Sequence, residues 1–147
     1  MSILNSHFKY YTMIIGCGRL GASLADSLYE QGGNVCVMDK DKDAFRKLNS
    51  SFGGLTVCND ARNIDALKDA EIEKAGVVII VTNNDNTNIM IAQIAKEVYH
   101  IPQVVCRLYD SDRECVYQEF GIDTICPAIL SVNEIESILD KKGAFRK

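Results

Sequence analysis

A glycine-rich hexapeptide at residues 16–21, GCGRLG, constrains the fold of this chain more strongly than any other feature. It follows an apolar run at residues 10–15 and opens a segment whose leucines recur at helical spacing. A second apolar run, at residues 35–38, ends in Asp39. This order of strand, glycine turn, helix, second strand and terminal acid is the dinucleotide-binding fingerprint of open parallel α/β sheets.

Each glycine of the hexapeptide has its own predicted task. Gly16 permits the tight turn out of the strand, Gly18 lets a phosphate approach the backbone, and Gly21 lets the helix pack closely on the strand. The helix N-terminus then presents free N–H groups and a partial positive charge to the phosphates. A glycine turn without a ligand is the alternative interpretation. The predicted phosphate cradle consists of Gly16, Cys17, Gly18, Arg19, Leu20 and Gly21.

Asp39 is the predicted ribose ligand. A carboxylate at this position accepts hydrogen bonds from both ribose hydroxyls and repels a 2′-phosphate, which disfavours NADP. The alternative is an acid at the start of a helix, and we favour that interpretation for Asp41 and Asp43. Lys40 is interpreted as a solvated side chain beside Asp39, at the rim of the same site.

Apolar runs and helical patterns alternate along the whole chain, which predicts a doubly wound, Rossmann-like α/β fold. We expect a mostly parallel six-stranded sheet of order 3-2-1-4-5-6 followed by a C-terminal helix. The predicted strands occupy residues 10–15, 35–38, 55–58, 77–81, 104–108 and 124–126. The predicted helices occupy residues 20–31, 44–49, 64–68, 88–99, 112–120 and 131–140. Residues 10–140 are expected to form one domain, flanked by tails at 1–9 and 141–147.

Local patterns refine the helices. Leucines at 20, 24 and 28 are expected on one apolar face of the first helix. Ser111 with Glu114, and Ser131 with Glu134, match the capping box and predict two helix starts. The last helix carries an apolar stripe that either covers the sheet or crosses to a second subunit; its residues are Val132, Ile135, Ile138 and Leu139.

Polar residues follow two further strands, the third and the fourth, at the sheet edge where ligands bind. Asp60 and Asn83 each either contact adenine or ribose or cap the following helix, whereas Asn84 and Asp85 are interpreted as caps. The candidate binding residues at these strand ends are Asn59, Asp60, Ala61, Thr82 and Asn83.

Two arginines are candidate partners for phosphate. Arg19 lies within the glycine loop at the helix N-terminus, with an exposed helix residue as the alternative interpretation. Arg107 lies in an otherwise apolar strand, where a charge needs a phosphate or a carboxylate as its partner.

Composition excludes several classes of protein. The net charge of −4, the pI near 5.1 and the absence of a long basic run argue against nucleic acid as a main partner. No apolar stretch approaches the roughly 20 residues that span a bilayer. Residues 1–9 lack the apolar core of a signal peptide. We therefore expect a soluble, cytoplasmic protein.

The six cysteines form no CxxC pair, which favours a reducing compartment over a disulfide framework. Cys36, Cys58, Cys106 and Cys126 fall in or at the ends of predicted strands, and we expect them to be small buried apolar side chains. The two histidines have no nearby ligand partner, so no metal site is expected.

Taken together, the chain resembles the nucleotide-binding N-terminal domain of Trk/Ktr-type regulatory subunits of potassium transporters, the RCK or KTN domain. The resemblance covers residues 11–140. It rests on GCGRLG at 16–21, VMD at 37–39, Asp60-Ala61, VTNNDNTN at 81–88, Arg107 and FGIDTICP at 120–127.

The resemblance implies a regulatory subunit that is not an enzyme and that binds ATP, ADP, AMP or NAD(H). Such subunits form homodimers and an octameric ring on the cytoplasmic face of a potassium-conducting membrane protein, and ligand exchange gates transport. By motif, Arg19 would approach the terminal phosphate of ATP, Asp39 the ribose and Arg107 the phosphate charge. Asp60 and Ala61 would border adenine, and the pocket would also be lined by Thr82 and Asn83.

Alternatives and departures remain beside that resemblance. A small NAD-dependent oxidoreductase or NAD(H) redox sensor is the main alternative, although candidate acid–base residues are scarce. An S-adenosylmethionine-binding fold is a third. The family usually carries a smaller C-terminal domain, whereas this sequence ends after its last predicted helix, so it is either a fragment or a naturally short subunit. Some Ktr-like members also use a glutamate to hold a cation at the dimer interface. The matching position is Gln118, with Glu119 beside it.

Overall fold

The computed structural model describes residues 11–143. Its six strands are β1 (Tyr11–Ile15), β2 (Asn34–Asp39), β3 (Leu55–Cys58), β4 (Ala75–Ile80), β5 (Gln103–Arg107) and β6 (Asp123–Ile125). They form one parallel sheet in the order β3-β2-β1-β4-β5-β6, which confirms the predicted fold class and strand order. The predicted N-terminal tail, the first residue of the first predicted strand and residues 144–147 lie outside the described residues.

Helices connect the strands. The α-helices are α1 (Arg19–Glu30), α2 (Ile64–Asp69), α3 (Asp85–Gln93), α4 (Glu114–Gln118) and α5 (Pro127–Lys141). Three short 3₁₀ segments and one π-helical turn complete the connections, at Lys42–Lys47, Ile72–Lys74, Ser111–Arg113 and Ile94–Val98.

The sheet separates two apolar cores. Side chains alternate along β1, so Met13 and Ile15 face one core while Ile14 faces the other. The central strands are buried on both faces, as their continuous apolar runs predict. This sandwich of helix, sheet and helix holds the carboxyl ends of the strands at one edge of the molecule.

The first helix packs on the sheet through small residues. A Cβ atom placed on Gly21 would lie 1.9 Å from the carbonyl oxygen of Gly16, so the helix and the preceding turn are in direct backbone contact. Ala22 and Ala25 are buried beside Gly21. Of the three leucines expected on one face of this helix, Leu24 and Leu28 are partly buried against the core, whereas Leu20 in the first turn is exposed.

Neither predicted capping box forms. The 3₁₀ turn Ser111–Arg113 is capped by Asp110, whose carboxylate accepts the N–H of Asp112. The last helix begins at Pro127, four residues before the predicted serine cap, so Ser131 lies inside it. Proline at the first helical position already has the helical φ angle and needs no donor there, which explains the earlier start.

The last helix leaves its apolar stripe exposed. None of the residues of α5 is buried, and the exposed fractions of Leu130 and Ile135 are both 56%. The expectation that this stripe covers the sheet is wrong for the single chain. The other expectation, that it meets a second subunit, stays a prediction.

Five cysteines of the described residues are free thiols. Four of them are buried, namely Cys17, Cys36, Cys106 and Cys126. Cys58 is exposed, contrary to prediction, because β3 is an edge strand whose residues are mostly in contact with solvent. Within residues 11–143, no helix combines the length and the apolarity needed to cross a bilayer.

Candidate functional site

A cavity of about 430 Å³ lies at the carboxyl ends of the strands, a volume typical of small-molecule sites. It lies where the strand order reverses between β1 and β4, the position at which sheets of this type bind ligands. Most of the predicted binding residues line it, namely Gly16, Cys17, Gly18, Asp39, Lys40, Asn59, Asp60, Ala61, Thr82, Asn83 and Arg107. Arg19, Leu20 and Gly21 do not line it; the first two are exposed at the start of α1.

The glycine loop forms one wall of the cavity. Gly16 has a φ angle of +105°, and a Cβ atom there would lie 2.9 Å from the backbone of Val81 and Thr82. Gly18, in contrast, has no heavy atom within 4 Å of its Cβ position. The turn and packing tasks predicted for Gly16 and Gly21 are confirmed by this geometry, and the approach of a phosphate to Gly18 stays a prediction.

Asp39, the last residue of β2, joins the glycine loop to the segment after β2. Its Oδ2 accepts the N–H of Cys17 at 2.8 Å, and its Oδ1 accepts the N–H of Asp41 at 2.8 Å. Each carboxylate oxygen keeps further acceptor capacity. The side chain is therefore held in a fixed orientation at the cavity wall, where it still has lone pairs free to accept from ribose hydroxyls.

The short 3₁₀ segment Lys42–Lys47 closes the cavity beside the glycine loop. Asp41 caps it by accepting the N–H of Asp43, as predicted for these two acids. Burial, and after it the charge of Asp39, raises the pKa of the Cys17 thiol, whereas the charge of Lys47 lowers it. Lys47 lines the same cavity as the glycine loop and brings a positive charge close to it.

Asp60 pairs with an arginine two residues later. The Arg62 guanidinium donates to both Asp60 oxygens, with a closest distance of 2.7 Å, and this pairing lowers the pKa of Asp60 to about 2. Helix α2 is capped by Asn63, whose side chain accepts the N–H of Asp65. Of the two alternatives left open for Asp60, capping of the following helix is therefore wrong.

Of the two residues expected to cap the helix after β4, Asn84 does so and Asp85 does not. Asn84 caps α3 by accepting the N–H of Thr87 at 2.9 Å. Asp85 does not act as a cap; it accepts the N–H groups of Tyr109 and Asp110 at 2.9 and 3.0 Å. Its carboxylate therefore joins the start of α3 to the segment after β5.

Arg107 faces the cavity from the end of β5. Its Nη2 donates to the carbonyl oxygens of Val81 at 2.8 Å and Thr82 at 3.0 Å, and the guanidinium lies 5.0 Å from the ring centre of Tyr109. Its hydrogen-bond partners in the described part of the chain are backbone carbonyl oxygens and not a carboxylate, and the other expected partner, a phosphate, stays a prediction. Among the described residues, nothing accepts a hydrogen bond from its buried Nε.

A comparison with families of known proteins identifies this arrangement. The family model described as the TrkA-N domain matches residues 12–127. This chain belongs to the TrkA-N domain family. The match extends from β1 to the first residue of α5 and includes every strand end that lines the cavity.

A curated relative of this TrkA-N chain is the "Trk system potassium uptake protein TrkA" of Streptomyces coelicolor. The two are 40% identical over 134 residues, which cover 91% of this chain and 60% of the relative. The chain therefore spans about three fifths of the length of that relative.

Solved structures share the TrkA-N fold. The TrkA-N domain of the inner membrane protein ybaL from Escherichia coli has a TM-score of 0.79 at 18% identity, covering 88% of this chain and 96% of that domain. The GsuK channel bound to NAD has a TM-score of 0.77 at 24% identity, covering 92% of this chain and 24% of that one. GsuK has also been solved bound to ADP. At these identities the likeness concerns the fold.

Several residues of the site in this TrkA-N domain were not predicted from the sequence, among them two cations and a buried amide. Lys47 and Arg62 line the cavity, and Asn88 is fully buried behind it. Arg62 was open to inference, because an acid two residues before an arginine is well placed to pair with it. Lys47 was not, since its orientation depends on the 3₁₀ register.

The position that matches the cation-binding glutamate of some family members is exposed to solvent in this TrkA-N domain. Gln118 and Glu119 are both exposed at the end of α4. In the part of the chain that the structure describes, no three His, Cys, Asp or Glu side chains group closely enough to hold a metal ion.

Proposed function

We propose that this chain is the nucleotide-binding module of a regulator of potassium uptake, and that it binds an adenine nucleotide or NAD(H) in the cavity at the strand ends. The name of the Streptomyces coelicolor relative supports the potassium-transport assignment. The GsuK structures with ADP and NAD support the ligand class. We further infer that the module regulates and does not catalyse.

One observation carries the proposal. Arg107 presents a buried Nε without an acceptor among the described residues, in the same cavity as the open backbone at Gly18 and the fixed carboxylate of Asp39. A buried N–H without an acceptor costs free energy even where the rest of the side chain is hydrogen-bonded. A nucleotide fits all three features, because phosphate supplies the acceptor and the ribose hydroxyls supply donors for the carboxylate.

Regulation follows from differential binding. Two nucleotides that share adenosine and two phosphates shift a conformational equilibrium only through the contacts in which they differ. Arg19 is exposed at the start of α1, outside the cavity wall, where it is free to meet a third phosphate. We therefore expect Arg19→Ala to weaken ATP binding more than ADP binding, and equal losses would remove Arg19 from this role.

Calorimetric titration of nucleotide-stripped protein tests the proposal. ATP, ADP, AMP, NAD, NADH and S-adenosylmethionine are titrated into the wild type, Arg107→Met and Arg46→Met. Arg46 is the matched control, since it is an exposed arginine paired with Asp43 outside the cavity. We expect binding of at least one adenine nucleotide or NAD(H), weakened by Arg107→Met and unchanged by Arg46→Met.

Two outcomes would contradict the proposal. If none of the adenine nucleotides or NAD(H) binds, the assignment of the cavity is wrong. If NADH binds and its absorbance falls with turnover of added carbonyl compounds, the chain is an oxidoreductase, the alternative left open by the glycine motif.

We also infer the partners from the same family assignment. The exposed apolar stripe of α5 supports a homodimer, and the potassium-transport relatives support a potassium-conducting membrane protein on which an octameric ring of these domains would assemble from the cytoplasmic side. Light scattering after size-exclusion chromatography tests whether the chain forms the homodimer. Replacing Ile135 and Ile138 of this stripe by glutamate should give a folded monomer.

A further inference from the structure

Asn88 is a polar side chain with no exposed surface, on the face of α3 that packs behind the cavity. Its Oδ1 accepts both the N–H of Thr82, at 3.1 Å, and the Thr82 hydroxyl. Its Nδ2 donates to the carbonyl oxygens of Thr82 at 3.0 Å and Arg107 at 2.9 Å. The amide therefore uses both acceptor and both donor positions.

These four hydrogen bonds join the ends of two strands. Thr82 follows β4 and Arg107 ends β5, and both line the cavity. The Arg107 guanidinium also donates to the carbonyl oxygens of Val81 and Thr82. The segment after β4 therefore fixes the side chain of Arg107, while Asn88 fixes its backbone carbonyl. Asp85 adds a second connection one turn earlier on α3, through the N–H groups of Tyr109 and Asp110.

We propose that Asn88 is a positioning residue for nucleotide binding, which holds Thr82 and the Arg107 guanidinium in the arrangement that the nucleotide meets. The proposal rests on the proposed function. Asn88 does not line the cavity, so it affects nucleotide binding only by positioning those two residues. A side chain that merely fills the space would remove all four hydrogen bonds, leave the Thr82 N–H without its acceptor and loosen the connection between the two strand ends.

The chemistry of the amide is specific to this task. The position requires two acceptor sites toward an N–H and a hydroxyl, and two donor sites toward carbonyl oxygens. A carboxylate has no hydrogen to donate, and an apolar side chain offers neither donor nor acceptor. Buried networks of this kind fix one geometry only when every member is satisfied.

A double-mutant cycle tests the proposal with the whole chain. The wild type, Asn88→Leu, Arg107→Met and the double variant are titrated calorimetrically with the tightest-binding nucleotide of the panel, and thermal unfolding is followed by circular dichroism. We expect Asn88→Leu to weaken binding by about tenfold or more in the wild-type background. In the Arg107→Met background the same change should raise the dissociation constant by less than about threefold, since the guanidinium that Asn88 positions is then absent.

Tyr11→Phe is the control for lost stability alone. It removes the 2.8 Å hydrogen bond from the tyrosine hydroxyl to the carbonyl oxygen of Ala70, at the opposite edge of the sheet from the cavity. This variant should unfold at a lower temperature and bind nucleotide as the wild type does. Should Asn88→Leu not fold, Asn88→Ser keeps a donor and an acceptor at the position and carries the same expectations.

The outcomes separate the two proposals. A wild type that binds no nucleotide overturns the proposed function. A wild type that binds, with Asn88 variants that are folded and bind equally well, overturns the positioning role. Equal effects of Asn88→Leu in both backgrounds also overturn it, because they would show that Asn88 does not act through Arg107.

Discussion

Alanine substitutions at Gly18 and Gly21 should separate nucleotide binding from folding. Gly18 has φ −79° and ψ −166°, an extended conformation that alanine adopts readily, and the space at its Cβ position is open to 4 Å. Gly21 has the opposite surroundings, with the carbonyl oxygen of Gly16 at 1.9 Å from its Cβ position and a methyl of Val81 at 3.3 Å. The two substitutions add the same methyl group to the same loop.

The expected magnitudes follow from this geometry. Gly18→Ala should leave the free energy of unfolding unchanged or raise it by about 0.4–1 kcal/mol, because the unfolded chain loses freedom. Gly21→Ala needs a shift of about 1.4 Å to restore an ordinary C···O contact of about 3.3 Å. Since both partners are backbone, we expect a loss of at least about 3 kcal/mol, a large part of a typical total of about 5–15 kcal/mol.

Nucleotide affinity, unlike stability, should be reduced by the substitution at Gly18. In Gly18→Ala the added methyl occupies the place where a phosphate meets the backbone, and we expect the nucleotide dissociation constant to rise about tenfold or more, which is about 1.4 kcal/mol. Urea unfolding followed by circular dichroism measures stability, and calorimetric titration measures affinity. Wild-type affinity in Gly18→Ala would refute the phosphate approach, and a Gly21→Ala protein as stable as the wild type would refute the packing argument.

Three further predictions concern single side chains. Asp39→Ala should lower the free energy of unfolding by about 1–3 kcal/mol in urea titrations, because two backbone N–H groups lose their acceptor; an unchanged midpoint would contradict this. Arg62 lowers the pKa of Asp60 to about 2, so the pair stabilises the fold above the ordinary carboxyl pKa of 3.8 and loses that contribution as the pH falls toward 2. In Asp60→Asn the melting temperature should fall slightly less steeply over this pH range, the difference being small because the pair is exposed, and an identical slope would exclude the linkage. Alkylation at pH 8 should modify Cys58 long before Cys106, whose pKa burial raises to about 12, and equal rates in peptide mass mapping would contradict the burial of Cys106.

The strand order was predictable because its physical cause lies in short segments. Continuous apolar runs signal parallel strands buried on both faces, and right-handed crossovers leave few ways to connect them. Boundaries were less predictable, because a capping motif competes with other caps nearby. Ser131 and Glu134 satisfy the pattern of a capping box, yet Pro127 starts the helix first.

Residues of the site were predictable where their position follows from the end of a strand. Asp39 and Arg107 end β2 and β5, so their place at the cavity follows from topology. Asn88 was not predictable in the same way, since its role depends on the distance between two strands that only the folded chain brings together. The partners of Arg107 could not be predicted from the sequence either, because every residue has a backbone carbonyl oxygen and no residue type marks the ones that accept.

The exposure of α5 has a consequence for dynamics. Helices of about 12–15 residues are marginal in water on their own, and most helices in proteins depend on an apolar face that is packed. α5 has 15 residues and none of them is buried in the single chain. Its amide hydrogens should therefore exchange with solvent much faster than those of the central strands, and the exchange rate of this helix offers a direct readout of whether anything has covered it.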